Sequence, residues 1–398
     1  MQQGMFNHYM NPEQLRMKSF ASTIARIFPD GSAPLFALTG QAGRAHAKDI
    51  KHGYFSKTWE FKAFKAQQGA GVGDVTLEAG DNTKGIVARQ IYYNTRTREI
   101  IRVLTRPTDT TLTVERGFGE VAQTAYLATD RWINIGTAHE QGSSRPSARS
   151  IQTKWFENYT QIWRNAWALT DTARASYAEL GYKNVAENKR DCSMFHAQDI
   201  ELSMLFGQKS IDTSGEAPIT MTQGIVAGIQ EYAPQNVTTA GATTDFDQLE
   251  DMLTPMFKYS TTGSSTKDRV LITGTRGNKV LNQIGRNHAQ AQMTLDQTQM
   301  GMTFTTIKTF KGRVHIMEHP LFNGLEIDDM AVVLDLASIK LAYMEGRDTK
   351  REEYGVGGAA EGKQGIDAQG GSLTSEAAVE FISPFSCGVI NGLTEGVG

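Results

Sequence analysis

Cysteine and long hydrophobic runs are both scarce in this sequence. Its 398 residues include two cysteines, Cys192 and Cys387, too few for a disulfide framework or, without histidines, for a structural zinc site. No stretch reaches the roughly 18 apolar residues of a membrane span, and the N-terminus lacks the basic and apolar pattern of a signal peptide. We therefore expect a soluble protein of a reducing, cytoplasmic compartment.

An excess of one charge is also absent. Lysine and arginine number 40 and aspartate and glutamate 43, a formal charge of −3 that excludes the strongly basic body of a dedicated nucleic-acid binder. Proline numbers 10 and glycine 39, so the chain has many bends and few rigid stops. A hydrophobic content of 39% is enough for a core, and the length predicts two or three domains.

The first 50 residues contain one predicted helix, from about Pro12 to Phe28. Its apolar residues recur at mostly helical spacing and form a stripe that needs a partner: Leu15, Phe20, Ile24, Ile27 and Phe28. A run without periodicity follows through Lys51. We interpret residues 1–50 as an arm, and a helix packed on its own domain remains the alternative.

A region of short strands follows the arm. From about Lys57 to Gly136 the hydrophobic period is two and Thr, Val, Ile and Tyr are frequent, which indicates β-structure. The clearest strands are Ile86 to Tyr93, Arg98 to Leu104 and Thr111 to Glu115. Their closeness predicts a small barrel or sandwich at about residues 66–138, inserted between flanking segments of another pattern.

Two long elements come next. Residues 153–172 alternate weakly and carry several tryptophans, which predicts an extended ribbon. Asn184 to Phe206 is the clearest helix, and Gly207 stands where a left-handed cap is expected. Its predicted seam consists of Val185, Cys192, Phe195, Leu202 and Phe206.

The second half alternates helices with strands and predicts an α+β or α/β region with one sheet. The predicted helices begin near Thr244, with Asp247 completing the N-terminal signal, and at Thr275 to Asn287. The predicted strands are Arg269 to Thr273, Phe304 to Lys308, Arg313 to Glu318, Met330 to Leu334 and Ile339 to Tyr343. A glycine-rich loop, Gly355 to Gly371, and one last strand, Ala377 to Ile382, complete the chain.

Three motifs are candidates for catalysis or ligand binding. His315, Glu318 and His319 spell H-x-x-E-H, but they read as a strand followed by Pro320, so their side chains should not converge on zinc. The glycines at 69, 71 and 73 precede no helix, and residues 273–279 lack the spacing of a phosphate-binding loop. We predict no catalytic residue, cofactor or metal.

The order of these elements resembles that of tailed-phage major capsid proteins of the Johnson fold. Residues 12–28 resemble the N-arm of these proteins. Residues 56–64 and 150–169 resemble the two sides of their extension loop, and residues 184–207 resemble their spine helix. Residues 94–99 and 113–119 resemble the β-domain that a short-tailed-phage-like subset inserts in the extension loop. The stretches 318–321 and 346–350 fit the axial domain.

The resemblance implies a domain order for the whole chain. It consists of an N-terminal arm at 1–50, an extension loop at 51–170 with the inserted β-domain, and a spine helix with peripheral domain at 171–219. An axial domain at 220–370 and a C-terminal return strand at 371–398 complete this α+β fold. The implied inter-subunit contacts are Phe20, Ile24, Phe28, Trp59, Arg98, Arg102, Trp155 and Trp163.

The implied function is a head-shell protein that assembles into hexamers and pentamers of an icosahedral phage head. The implied partners are copies of itself, a separate scaffolding protein, a portal protein, a decoration protein and packaged double-stranded DNA bound without sequence specificity. No membrane is involved, and the protein is expected in the virion after assembly in the host cytoplasm. The alternatives are a metal-dependent hydrolase using His315, Glu318 and His319, and an encapsulin-like nanocompartment shell.

Overall fold

The computed structural model describes residues 35–36, 44–57, 63–69, 71–79, 85–108, 110–145, 153–175, 184–241, 244–259, 268–287, 293–299, 302–354 and 368–393. The helices are α1 (Asp171–Ala175), α2 (Asn184–Phe206), α3 (Ile225–Tyr232), α4 (Phe246–Leu253), α5 (Thr275–Asn287) and α6 (Pro320–Gly324). Short 3-10 turns occupy Pro234–Asn236, Thr254–Phe257, Leu336–Ser338 and Pro384–Ser386. No helix within these ranges is both long and apolar enough to cross a membrane.

Strands outnumber helices. In chain order they are β1 (Arg44–Ala47), β2 (Lys51–Ser56), β3 (Ala63–Lys65), β4 (Thr76–Glu78), β5 (Gln90–Asn94), β6 (Ile100–Thr105), β7 (Thr111–Glu115), β8 (Arg131–Thr137), β9 (Lys154–Tyr159), β10 (Gln161–Thr170), β11 (Ser210–Asp212), β12 (Ile219–Met221), β13 (Val237–Thr239), β14 (Asp268–Thr273), β15 (Met293–Gln299), β16 (Met302–Lys308), β17 (Arg313–Glu318), β18 (Ala331–Leu334), β19 (Ile339–Met344), β20 (Lys350–Tyr354), β21 (Ala368–Phe381) and β22 (Gly388–Asn391).

The chain divides into two compact units, one of residues 56–154 and one of the segments on either side. In the first unit six strands follow the order β3-β8-β5-β6-β7-β4. A bridge between Ala66 and Ala79, with Gln67 N–H donating to the Glu78 carbonyl at 2.8 Å, closes the sheet into a barrel. The inward residues alternate along each strand, and Phe64, Tyr92 and Trp132 fill the barrel.

A buried ion pair stabilises the loops of this barrel. The Arg116 guanidinium donates to both carboxylate oxygens of Glu99, at 2.5 and 2.7 Å, and the two side chains are 1% and 0% exposed. Arg116 also donates to the carbonyls of Gly71, Asp74 and Thr124. The charge therefore ties three separate loops to one point.

The second unit, the body, contains two large sheets. A seven-stranded sheet follows the order β13-β22-β18-β14-β17-β16-β15, and a five-stranded sheet follows β1-β19-β21-β10 with β20 also paired to β21. The helix bounds of α2 and α5 agree with the predicted ones, as does β17. Because β14 is buried almost throughout, it lies at the centre of the core.

The buried face of α2 differs from the predicted seam. Cys192, His196, Ile200 and Met204 face the core, whereas Phe195 is 56% exposed. The predicted seam was right at Cys192 and wrong at Phe195, because His196 takes the neighbouring core position. It is buried with its ring nitrogens bonded to Asn165 Oδ1 at 2.7 Å and Ser375 Oγ at 2.8 Å.

Three glycines have roles other than the predicted ones. Gly207 does not have a positive φ; a Cβ there would collide with the carbonyl oxygens of Thr222 and Ser203, so close approach requires glycine. Gly370 and Gly371, predicted as loop, lie in β21. Glycine is required there because a Cβ at Gly370 would collide with the Tyr354 ring and a Cβ at Gly371 with the Trp167 ring.

Two element boundaries also need correction. The strand predicted as Ala377 to Ile382 is the second half of the longer β21, and it is not the last strand, since β22 follows it and joins the seven-stranded sheet. Helix α4 begins at a different cap from the predicted one, because Asp245 accepts the backbone N–H of Gln248 at 2.8 Å. The predicted arm helix at 12–28 and residues 355–367 of the predicted loop lie outside the described residues.

Candidate assembly surfaces

β2 and β9 pair to form a two-stranded ribbon. Successive side chains of a strand point to opposite faces, so the ribbon has two faces of different chemistry. On one face the rings of Tyr54 and Phe156 stack with centroids 5.5 Å apart, and Phe156 meets Tyr232 of α3 edge-on at 4.9 Å. The Tyr54 hydroxyl donates to the carbonyl of Phe381. This face is therefore anchored to the body.

The opposite face of the ribbon presents an aromatic pair to solvent. Phe55 is 68% and Trp155 50% exposed, and their ring centroids lie 4.7 Å apart. A Cβ on Gly53 would collide with the Trp155 indole, so the glycine lets this ring lie across β2. Large exposed aromatic side chains next to each other are typical of protein–protein contacts.

Glu157 holds this exposed face in place. Its carboxylate accepts from Lys51 Nζ at 2.7 Å, Lys209 Nζ at 3.3 Å and Trp155 Nε1 at 3.2 Å. The hydrogen bond from Lys51, ahead of the other interactions, lowers the pKa of Glu157 to about 2. The carboxylate is thus ionised at neutral pH and fixes the indole of Trp155.

The barrel carries a second apolar surface on its outside. Tyr93 on β5 lies between Ile133 of β8 and Ile100 of β6 in the strand register, and Ile133 is 39% exposed. Ile135 and Leu104 add exposed fractions of 55% and 43%. Neither these residues nor Phe55 were predicted as contacts, although in both surfaces they alternate with more buried neighbours along their strands.

The residues predicted to contact other subunits lie in different environments. Trp155 is on the exposed ribbon face, and Arg98 is exposed in the turn after β5 with φ of 62°. Arg102 pairs with Glu115 at 2.7 Å and covers the Phe118 ring, so both of these contacts lie within its own barrel unit. Phe20, Ile24, Phe28 and Trp59 lie outside the described residues.

Trp163 requires a correction. Its side chain is 5% exposed, and its Nε1 donates to Ser203 Oγ of α2 at 2.9 Å. A side chain in the core of its own chain has almost no surface for a neighbouring subunit. The alternation of residues 153–172 did not distinguish Trp163 from Trp155, because tertiary packing decides which face of the strand meets α2.

The three residues of the H-x-x-E-H sequence have separate partners. His315 Nδ1 lies 2.9 Å from Thr306 Oγ1, Glu318 accepts from Asn323 Nδ2 at 3.1 Å, and His319 Nε2 lies 2.7 Å from Glu201 Oε1. Across the described ranges no group of three or more His, Cys, Asp or Glu side chains could hold a metal. The geometry gives no support to the hydrolase alternative.

Comparison with known proteins decides between the remaining interpretations. The model of a family described as SU10 major capsid protein matches residues 2–394. The chain belongs to the SU10 major capsid protein family. A major capsid protein of Pseudomonas phage PaMx41 is 45% identical over 402 residues, which cover 98% of this chain and 96% of the relative.

Solved structures with a similar chain trace are more distant from this capsid protein. A protein of Microbacterium phage Oxtober96 is 10% identical with a TM-score of 0.47, covering 95% of this chain and 96% of the other. The SrpI encapsulin of Synechococcus elongatus PCC 7942 is 9% identical with a TM-score of 0.43, covering 62% and 79%. Family membership rests on the sequence comparisons.

The predicted identity is therefore confirmed. This protein is a phage major capsid protein, a component of the virion whose copies assemble into a multimeric shell. The encapsulin-like alternative gives way to a phage shell, and the exposed faces of the ribbon and barrel become candidate contacts between copies.

Proposed function

We propose that this capsid protein forms hexamers and pentamers of an icosahedral head that encloses double-stranded DNA, and that it carries no catalytic site. Within the proposal the chain has an N-arm, an extension loop with inserted barrel, a spine helix, and peripheral and axial domains. The observation that carries it is the ribbon, which is anchored through Tyr54 and Phe156 and exposes Phe55 and Trp155.

We extend the proposal to the place of assembly and to the partners. Copies assemble in the host cytoplasm with a separate scaffolding protein and a portal protein, and a decoration protein is a further candidate partner. The formal charge of −3 suits DNA held mainly through counterions rather than through a basic lining.

Electron microscopy of the purified protein, alone and with the scaffolding protein from its own genome, tests the proposal. We expect closed shells or capsomer rings of uniform size. A dispersed monomer under both conditions, checked by light scattering, would contradict it.

The ribbon is tested in the same assay. Trp155→Ser should leave the melting temperature nearly unchanged, because the side chain is half exposed, and should reduce the yield of shells severalfold. Phe195→Ser, which removes a similarly exposed aromatic side chain from α2, is the matched control. Equal yields for wild type and Trp155→Ser would remove the ribbon from the interface.

A further inference from the structure

Among the strands that the structure describes, β10 pairs along one edge only, with β21. Its ten residues, from Gln161 to Thr170, match ten consecutive residues of β21 without a break in register. Among the described residues no second strand pairs with it, so β10 is an edge of the five-stranded sheet. Within the described part of the chain, the main-chain N–H and C=O groups on its other side have no strand partner and form an open row, since each residue of a strand carries one donor and one acceptor.

Proteins usually protect such an edge, and β10 has little protection. The usual devices are short edge strands, proline, bulges and charged side chains. Other edge strands of the body follow this rule: β1 has four residues, β13 three, and β15 a register shift in its pairing. β10 is longer, contains no proline, and Arg164 is its one charged residue.

The strand is also held rigidly. Trp163 and Trp167 are buried on the face toward α2, and Asn165 Nδ2 donates to Asp199 Oδ2 at 2.7 Å. The opposite face exposes Ile162, at 50%, and the small residues Ala166 and Ala168. A fixed strand with small outward residues at Ala166 and Ala168 lets another strand approach at a low cost in conformational entropy.

We propose that the open edge of β10 binds an extended segment of a second copy of this chain by β-strand addition. An open row of main-chain groups selects an extended main chain rather than a compact surface. A second copy is the occupant because copies of a capsid protein are neighbours in its shell. The inference rests on self-assembly and names one of its interfaces.

Hydrogen exchange read by mass spectrometry tests the proposal on the unmodified protein. Successive amides of a strand face opposite edges, so in the free subunit about half of the β10 amides should be protected by β21. In assembled shells the other half should exchange at least about tenfold more slowly. Exchange that is equal in free subunits and shells would overturn the proposal.

Charged side chains on the edge provide the second test. Ala166→Lys and Ala168→Lys imitate the natural protection of edges, and each should cut the yield of shells at least about tenfold while circular dichroism and melting temperature stay close to wild type. Ala186→Lys, at an exposed position on α2, is the control. Normal shells from both edge variants would contradict strand addition at β10.

The outcomes separate this inference from the proposed function. If wild-type protein forms no shells, self-assembly fails and the inference fails with it. If shells form but β10 gains no protection, only the inference fails. Full protection of β10 in the free subunit would show that a segment of the same chain covers the edge, which also overturns it.

Discussion

The barrel and the body differ in how far along the chain their strands find partners. In the barrel, β5 pairs with β6 and β6 with β7, each the next strand in sequence. In the body, Arg44 of β1 lies opposite Leu341, and Gln161 of β10 lies opposite Ala377. Local pairings close short loops, whereas the body must close very long ones before its sheets form.

The difference teaches that the two units depend on different kinds of polar anchor. In the barrel the buried pair of Glu99 and Arg116 holds neighbouring loops. In the body, buried groups join segments far apart in sequence: Glu201 of α2 accepts from the backbone N–H groups of Leu35 and Phe36, at 2.8 and 2.6 Å, and contacts His319. Breaking one anchor in each unit tests whether the units respond separately.

The largest expected effect is on the barrel. Arg116→Met leaves the carboxylate of Glu99 buried without its cation, and removing one partner of a buried pair costs about 3–5 kcal/mol. We expect peptides of residues 56–154 to lose protection against hydrogen exchange, while body peptides keep theirs.

A second variant controls for lost packing in the barrel. Glu99→Gln combined with Arg116→Met removes both charges and should recover part of the free energy of unfolding, since no buried charge is left alone. Equal loss of protection in barrel and body peptides would show that the units unfold together, and the comparison would fail.

The next effect concerns the body. The Glu201 carboxylate is surrounded by the N–H groups of Leu35 and Phe36 and by His319 Nε2, and Glu201→Gln replaces one of its acceptor oxygens by an NH2 donor. Hydrogen bonds to a charged group contribute about 1.5–3 kcal/mol. Urea unfolding should show a loss of about 2 kcal/mol, and exchange should increase first at Leu35 and Phe36.

Asp199→Asn is the matched control for Glu201→Gln. It lies on the same helix but is exposed and accepts from Asn165 on the surface, so its cost should be below about 1 kcal/mol. If the two variants lose equal stability, the burial of Glu201 does not matter and the nonlocal anchor is absent.

The sequence indicated local structure better than nonlocal contacts. The bounds of α2 and α5 follow from periodicity and end signals, and β7 from alternation between turn residues. The buried face of α2 did not follow, because His196 and Glu201 are polar residues whose partners, Ser375 and His319, lie over a hundred positions away. Likewise Gly370 and Gly371 look like loop residues until Tyr354 is known to lie opposite the first and Trp167 opposite the second.

The same limit applies to the candidate surfaces, because the sequence predicts strands but not which of their faces is buried by the rest of the chain. Trp155 and Trp163 were both predicted as contacts, and the structure exposes the first on the ribbon and buries the second against α2. Which tryptophan faces solvent depends on α2, and no local pattern encodes that contact. Along β8 the isoleucines Ile133 and Ile135 alternate with Trp132 and Asn134, and adjacent strand residues face opposite sides, so a Trp132 inside the barrel places both isoleucines outside.

A smaller effect should appear with pH. Burial lowers the pKa of His196 in the folded protein, with the charge of Asp199 opposing it. The unfolded chain then binds a proton that the folded chain does not, so the free energy of unfolding is fully retained above the unfolded pKa of about 6.5 and falls as pH drops through the folded pKa.

The pH effect is isolated by a variant. His196→Gln keeps groups that can bond to Asn165 and Ser375 but does not titrate. The difference between wild type and variant, measured by urea unfolding from pH 7.5 to 5, should change as the wild type loses stability at the acid end. A constant difference across that range would mean that His196 is not the titrating group.

The smallest stability effect belongs to the ribbon. Glu157→Gln weakens the contacts with Lys51 and Lys209, and partly exposed ion pairs contribute at most about 1 kcal/mol. Because the pKa of Glu157 is lowered to about 2, the wild-type advantage should persist at pH 5 and disappear only as pH falls from about 4.5 toward 2. The same variant also removes the carboxylate that accepts from the Trp155 indole. The yield of shells should therefore fall further than the small loss in the free energy of unfolding explains. If the loss of stability alone accounts for the loss of shells, the orientation of Trp155 contributes nothing to assembly. The ribbon would then affect assembly only through its attachment to the body.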